Sequence, residues 1–460
     1  MQETTTVKEL PAAALLSNGR YDVVVEASGG GHSAYDGRLL TPRLGLGTSL
    51  YVSEGGEDPY AVRMWPVASD EAGEYPTAHF GLGPGTCRLR RTTRDGARVT
   101  CDICVVPDRD AELRRYVIAN ASKRVRRFTL TVVTECDGSG GPAWARGAEG
   151  AGVPGIPRKG MSEAAVNSAG TAGGVVETSL IDGIGGVLAV RKQPDRPTAF
   201  LLHAFLDARP TAFETDGVAF FGAVPDAVHP PGLDEWLSGA TGRPGHPVLT
   251  LQTYVSLEPG EERTLTLAGC AGTSQDRVVA TAETLADRQV LADAFLEAAL
   301  REQRARDHLK LGPRNADRYH RVAARVLHDD PALRMRGAPD PSAAEAAMER
   351  LGLHPLRPLA VCRISDESEL YLAHLMLKAR AFWQTIGLSI QVLFLNDKSG
   401  ADANSLQQEL HDAIEGAEGG MDGLVLRHAD IVPPDEQRVV QRSAQLVLTS
   451  DGADLLRVGR

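Results

Sequence analysis

The sequence predicts an α+β fold of several domains: a large antiparallel β-sandwich, a helical linker and a small C-terminal α/β module with a parallel sheet. Three observations predict it. Roughly the first 275 residues carry period-two apolar runs separated by turn residues. Residues 276 to 310 switch to helical spacing, with no Pro or Gly between Asp276 and Leu311. The last hundred residues or so alternate short apolar runs with helical segments. The expected domains are residues 1–275, 276–340 and 341–460.

Taken in order, Tyr21 to Ala27 (YDVVVEA) is a β-branched run between Asn18-Gly19 and Gly29-Gly30-Gly31. In Arg98 to Val106, Val99, Cys101, Ile103 and Val105 share one face of a strand. Strands are expected at Leu113 to Ala119 and Phe128 to Val133, on either side of the turn-like Asn120-Ala121-Ser122-Lys123. Val187 to Val190 and Ala199 to Phe205 follow. Val248 to Leu257 and Arg263 to Ala268 are joined by the turn Glu258-Pro259-Gly260-Glu261. Residues 137 to 175 hold eleven Gly and few large apolar side chains, the composition of a mobile surface loop.

Beyond the long helix, Gly312-Pro313 is a stop, and a second helix is expected at Asn315 to His328. Arg336 to Pro341 reads as a connector. In the last module, strands are expected at Leu359 to Ile364, Gln391 to Leu395, Gly423 to Arg427 and Gln445 to Thr449. Helices are expected at Glu367 to Ile386, Asn404 to Ile414 and Glu436 to Ala444. Such alternation gives parallel strands joined by right-handed helical crossovers.

Composition narrows the function. Forty-nine basic against 60 acidic side chains give a net charge of −11, which argues against a general nucleic-acid binder. No apolar run reaches about 18 residues, so no transmembrane segment is expected. Met1 to Leu10 carries Glu3, Lys8 and Glu9 and reads as no secretory signal. The six cysteines then read as reduced thiols of a cytoplasmic protein. Cys101-Asp-Ile-Cys104 has no second pair at zinc-site spacing. His320 and His328 stand eight apart, too far along a helix for one metal ion. HExxH and GxSxG are absent, so no metal, cofactor or serine-hydrolase chemistry is expected.

Several segments carry a resemblance. "LLSNGRY" (15–21) followed by "GGGHS" (29–33), then "CDICVVPDRDAELRRYVIAN" (101–120), "ETDGVAFFG" (214–222), "LSGATG" (237–242), "RPLAVCRI" (357–364) and "LSIQVLFLND" (388–397) occur in the order found in one family. They resemble the glycoside phosphorylases of family 94, and within these the copies in cyclic β-1,2-glucan synthases. The resemblance implies a supersandwich and a carbohydrate-linked role. It also implies a departure. The family's catalytic carboxylate sits in an (α/α)₆ barrel of roughly 300 residues, whereas only about 185 residues follow the sandwich here. Where the synthases carry Gly-Ile-Ser-Gly-Asp, this chain has Gly352-Leu353-His354-Pro355-Leu356-Arg357, without the Asp. The chain is therefore expected to be a non-catalytic scaffold or carbohydrate-binding region. The alternative is one subunit of a split glycosyltransferase or phosphorylase, completed by a separate (α/α)₆-barrel protein.

No catalytic residue is assigned. Glu214 and Asp216 are the best-placed acid pair, but a turn-stabilising role is the plainer reading. A glucan or oligosaccharide is the expected partner. Its candidate contacts are His32 after the three glycines, beside Asn18, Arg20 and Tyr35, with Trp236 as a stacking platform. Glycines let a ligand approach backbone, and aromatic and planar polar groups suit sugar faces and hydroxyl edges. The plainer alternatives are a structural loop with Arg20 in an ion pair, and a buried Trp236.

Overall fold

The computed structural model describes residues 12–42, 46–54, 60–67, 78–93, 96–136, 174–194, 196–328, 339–355, 357–400, 403–450 and 456. Apart from its last two residues, the loop expected at 137–175 lies outside the described residues, as does part of the connector expected at Arg336 to Pro341. The chain divides into two compact units, residues 16–300 and residues 1–15 with 301–460.

Strand β1 (Ala13–Ser17) straddles the division. Next come β2 (Tyr21–Glu26), β3 (Gly31–Tyr35) and β4 (Arg38–Leu39), a small antiparallel sheet. They are followed by β5 (Thr48–Glu54), β6 (Tyr60–Trp65), β7 (Ala78–Gly83) and β8 (Thr86–Thr92). Longer strands come next: β9 (Ala97–Val105), β10 (Ala111–Asn120) and β11 (Arg126–Glu135). Then β12 (Val175–Ile181), β13 (Gly186–Gln193), β14 (Arg196–Phe205) and β15 (Ala212–Asp216) lead to helix α1 (Gly217–Phe221). Strands β16 (Pro247–Leu257) and β17 (Glu262–Gly272) close the β region before α2 (Gln275–Leu285) and α3 (Arg288–His308).

An eight-stranded sheet runs β12-β13-β14-β17-β10-β9-β8-β7, and a five-stranded sheet runs β15-β16-β11-β5-β6. All neighbours are antiparallel. Alternation sorts each strand between two faces. In β10, Glu112, Arg114, Tyr116 and Ile118 point inward and are buried, while Ala111, Leu113, Arg115 and Val117 point outward. The inner faces meet where Thr134 Oγ1 of β11 lies 3.2 Å from His203 Nδ1 of β14. The charged groups inside include two close pairs. Arg126 donates from two nitrogens to Glu54, and Arg114 lies 3.2 Å from Glu112, which also accepts from Ser33 Oγ at 2.8 Å. On the outer face, α2 and α3 lay Val278, Ala282, Leu285, Phe295 and Ala298 over Leu113, Leu188, Leu202 and Ala268. Each such Leu or Val contributes about 1.5–3 kcal/mol by leaving water.

The expected uninterrupted helix from Asp276 breaks near Asp287. Its carboxylate accepts from the Gln289 and Val290 amides, so a side-chain cap starts a new helix without Pro or Gly.

The second unit contains α4 (Pro313–His328), α5 (Pro341–Leu351), β18 (Leu359–Ile364), α6 (Leu370–Thr385), β19 (Gln391–Asn396), α7 (Ala403–Glu415), β20 (Leu424–His428), α8 (Pro434–Ser443) and β21 (Leu446–Leu448). The four strands pair in parallel in the order β20-β19-β18-β21, as the alternation predicts. Helix α5 starts at the Asp340 cap and stops at Gly352, whose φ of 80° suits a residue without Cβ. Its Ala347, Met348 and Leu351 pack with Val440 of α8 on Leu359, Val361, Leu393 and Leu395. Among the described residues, no helix is long and apolar enough to cross a membrane.

Candidate functional site

Three of the five candidate sugar contacts meet at one polar cavity of about 250 Å³ in the 16–300 unit. Asn18, Arg20 and Tyr35 line it with the Pro107–Asp110 turn, and Thr273, Arg277 and Thr281 at the start of α2 complete the wall. The turn after β1 is held by Asn18. Its Nδ2 donates to Val106 O at 3.0 Å and Arg109 O at 2.8 Å. Its Oδ1 accepts from the amides of Arg20 and Tyr21. These four bonds use the whole side-chain amide, so Asn18 positions the turn and has nothing left for a ligand.

Arg20 is exposed and lies between two partners. Nη1 is 3.2 Å from Asp110 Oδ2, and Nη2 donates to the Tyr35 hydroxyl. The ion pair expected of the plainer reading is therefore present, at the rim of an open cavity. Burial and then the nearby Asp110 carboxylate raise the Tyr35 phenol above its usual range, so it stays neutral near pH 7. Arg109 pairs with Asp108 at 2.6 Å. The cavity thus offers three guanidinium groups, two carboxylates and a phenol hydroxyl, able to donate to and accept from a polyhydroxylated ligand.

His32 does not join them. It is three residues before Tyr35 on β3, so strand alternation turns it to the opposite face, where it is buried. The three glycines also serve packing rather than ligand approach. A Cβ on Gly29 (φ +84°) would stand 2.4 Å from the Trp65 indole, and one on Gly31 would stand 1.9 Å from Val24 O. Trp236 is far from buried, at 92% exposed, so burial is corrected to a bare surface indole in the segment between α1 and β16.

Glu214 and Asp216 follow the turn-stabilising reading. Glu214 accepts from the Thr215, Asp216 and Ser238 amides and from Ser238 Oγ. Asp216 caps α1 through Val218 N. Cys101 and Cys104 are three apart on β9, face opposite sides and are buried. His320 is buried, with Nε2 3.0 Å from Glu302 and Nδ1 3.0 Å from Leu15 O. Among the described residues, no three His, Cys, Asp or Glu side chains are placed to hold a metal ion.

Sequence reasoning missed Arg109, Asp110 and Arg277. The Pro107-Asp108-Arg109-Asp110 turn was a readable signal between two strands. Arg277 had none, because only the fold brings the α2 start beside the turn after β1.

A family model described as glycosyl hydrolase 94, supersandwich domain, matches residues 1–137 and 163–288. The cyclic β-(1,2)-glucan synthase NdvB of Rhizobium meliloti (strain 1021) is 22% identical over 424 residues, covering 87% of this chain. The chain spans 14% of that relative's length. Among solved structures, a bacterial glucoamylase complexed with acarbose superposes at TM-score 0.41 and 10% identity, over 70% of this chain and 42% of that one. A family 92 α-mannosidase of Bacteroides thetaiotaomicron superposes at 0.36 and 10% identity, over 83% and 55%. Neither superposition is close enough to carry a functional conclusion.

Proposed function

The chain belongs to the glycosyl hydrolase 94 supersandwich family, and on that premise we propose that it is a carbohydrate-binding region without catalytic activity of its own. The observation that carries the reading is the polar cavity in which Arg20 stands between Tyr35 and Asp110. A guanidinium fixed by a carboxylate and a phenol is pre-organised to donate to sugar hydroxyls, which lowers the entropy lost on binding. Trp236 supports the same reading from a separate place, since a bare indole offers a flat apolar face to a pyranose ring. The similarity to a β-(1,2)-glucan synthase makes β-1,2-gluco-oligosaccharides the first ligands to try.

Calorimetric titration of the full chain with those oligosaccharides is the test. Binding should weaken roughly tenfold or more in Arg20→Ala, the loss expected for a hydrogen bond from a charged group. A folded chain that gives no heat with any glucan contradicts the reading. Turnover of a sugar phosphate or activated sugar by the chain alone would refute the non-catalytic part. The split-enzyme alternative, with a barrel-bearing partner, requires activity that arises only when such a chain is added.

A further inference from the structure

Among the described residues, helices cover only half of the outer face of the eight-stranded sheet. Helices α2 and α3 seal the half built from Cys104, Leu113, Leu188, Leu202 and Ala268. Across the other half, register fixes what stands side by side. Gly81, Arg88, Asp102, Arg115 and Thr266 form one row across β7, β8, β9, β10 and β17. His79, Arg90, Thr100, Val117 and Thr264 form the next, and Thr92, Arg98, Ala119 and Glu262 a third. Directly paired residues share a face, so the rows lie on one side of the sheet, with Asp102, Ala119 and Thr266 buried in it. His79, Arg88, Arg90, Thr92, Arg98 and Thr264 are exposed on it.

We propose that this open half of the sheet is a docking surface for an anionic polysaccharide. The proposal takes its ligand class from the carbohydrate reading above and adds a second, charge-reading surface to it. Four arginines stand there against Asp102 and Glu262, on a chain whose net charge is −11. A local excess of positive charge on an acidic chain gives this face a field that attracts a polyanion. The arginines are of two kinds. Asp102 holds Arg88 (2.5 Å) and Arg115 (3.0 Å) in place, and Arg115 also lies 4.3 Å from the centre of the Phe295 ring. Arg90 and Arg98 have no ion-pair partner among the described residues, so their forks are available to carboxylate, sulfate or phosphate groups. Threonines 92, 100 and 264 interleave hydroxyls among them, a match for a ligand carrying both charges and hydroxyls. The rows contain no Phe, Tyr or Trp, and half-buried Val117 is their largest apolar side chain. That composition lacks the apolar centre expected of a protein interface.

The test uses the full chain, with polygalacturonate, poly-glutamate and the neutral glucan as probes. The parent chain should bind polygalacturonate, with affinity falling as salt rises through the range where the Debye length shrinks to about 8 Å. Arg90→Glu with Arg98→Glu should weaken that binding roughly tenfold or more and leave neutral-glucan binding unchanged. Arg20→Ala should do the reverse. If charge reversal disturbs folding, Arg90→Gln with Arg98→Gln serves, and undiminished binding by either folded double variant overturns the proposal. Equal binding of poly-glutamate overturns the saccharide assignment. Polygalacturonate left unbound while neutral glucan binds overturns this surface alone. Neither probe bound removes the carbohydrate reading with it.

Discussion

The sandwich interior and the parallel sheet of the second unit are both buried, yet they are filled differently. Between the sandwich sheets stand Glu54 with Arg126, Glu112 with Arg114 and Ser33, and His203 with Thr134. Leu359, Val361, Leu393 and Leu395 meet α5 and α8 with hydrocarbon alone. A buried charge must keep its partner, whereas an apolar side chain needs only volume. The sandwich should therefore be specific and sensitive to pH, and the face of the parallel sheet under α5 and α8 sensitive to cavities and indifferent to pH.

A large expected effect breaks one ion pair. Arg126→Ala leaves the nearly buried Glu54 only the exposed Arg124, 3.8 Å away, and should lower unfolding free energy by about 3 kcal/mol. Urea denaturation checks it, and Arg126→Ala with Glu54→Gln should recover part of the loss. Next is Leu393→Ala in the parallel sheet. It should cost about 2–5 kcal/mol through the lost burial and the cavity left behind. Its cost should be the same at pH 5 and pH 8, and a strong pH dependence would erase the contrast between the regions.

His203 sharpens the contrast from the other side. Burial foremost pushes its pKa down to about 4 from 6.5. The unfolded chain then takes up a proton below about pH 6.5 that the folded chain refuses until about pH 4, so ν_U exceeds ν_N in that window. Stability should be fully present above pH 6.5 and be lost as pH falls toward 4, by up to about 3 kcal/mol. His203→Gln should flatten that slope in urea titrations. The smallest effect belongs to the surface. Trp236→Ala should shift unfolding free energy by less than about 0.5 kcal/mol while weakening glucan binding. A large loss of stability would show that the indole packs against something.

How much of this was legible varies with the element. LAVCRI and QVLFL are largely apolar runs because β18 and β19 are buried on both faces, and both were read correctly as strands. The pair β16 and β17 was announced by Pro259-Gly260 between two alternating runs. Strands β3 and β4 escaped notice because a glycine run and a two-residue edge strand carry almost no pattern. In the candidate site, Arg20 and Tyr35 were chosen for chemistry and do meet. His32 was chosen for adjacency, and adjacency along a strand does not put side chains on one face. Asn18 was rightly noticed as a turn residue, but its four hydrogen bonds belong to the protein.

By itself, the sequence determined the kind of each layer, because hydrophobic period is a local property and the period selects strand or helix. It also carried enough ordered segments to place the chain in its family. The tertiary structure alone decided which residues stand together. Glu112, Gly269 and His203 line up across three strands, and a Cβ on Gly269 would stand 3.0 Å from both Glu112 and His203. Nothing local encodes that alignment, nor the meeting of Arg20 with Arg277, since register between distant strands is settled only when the whole sheet pairs.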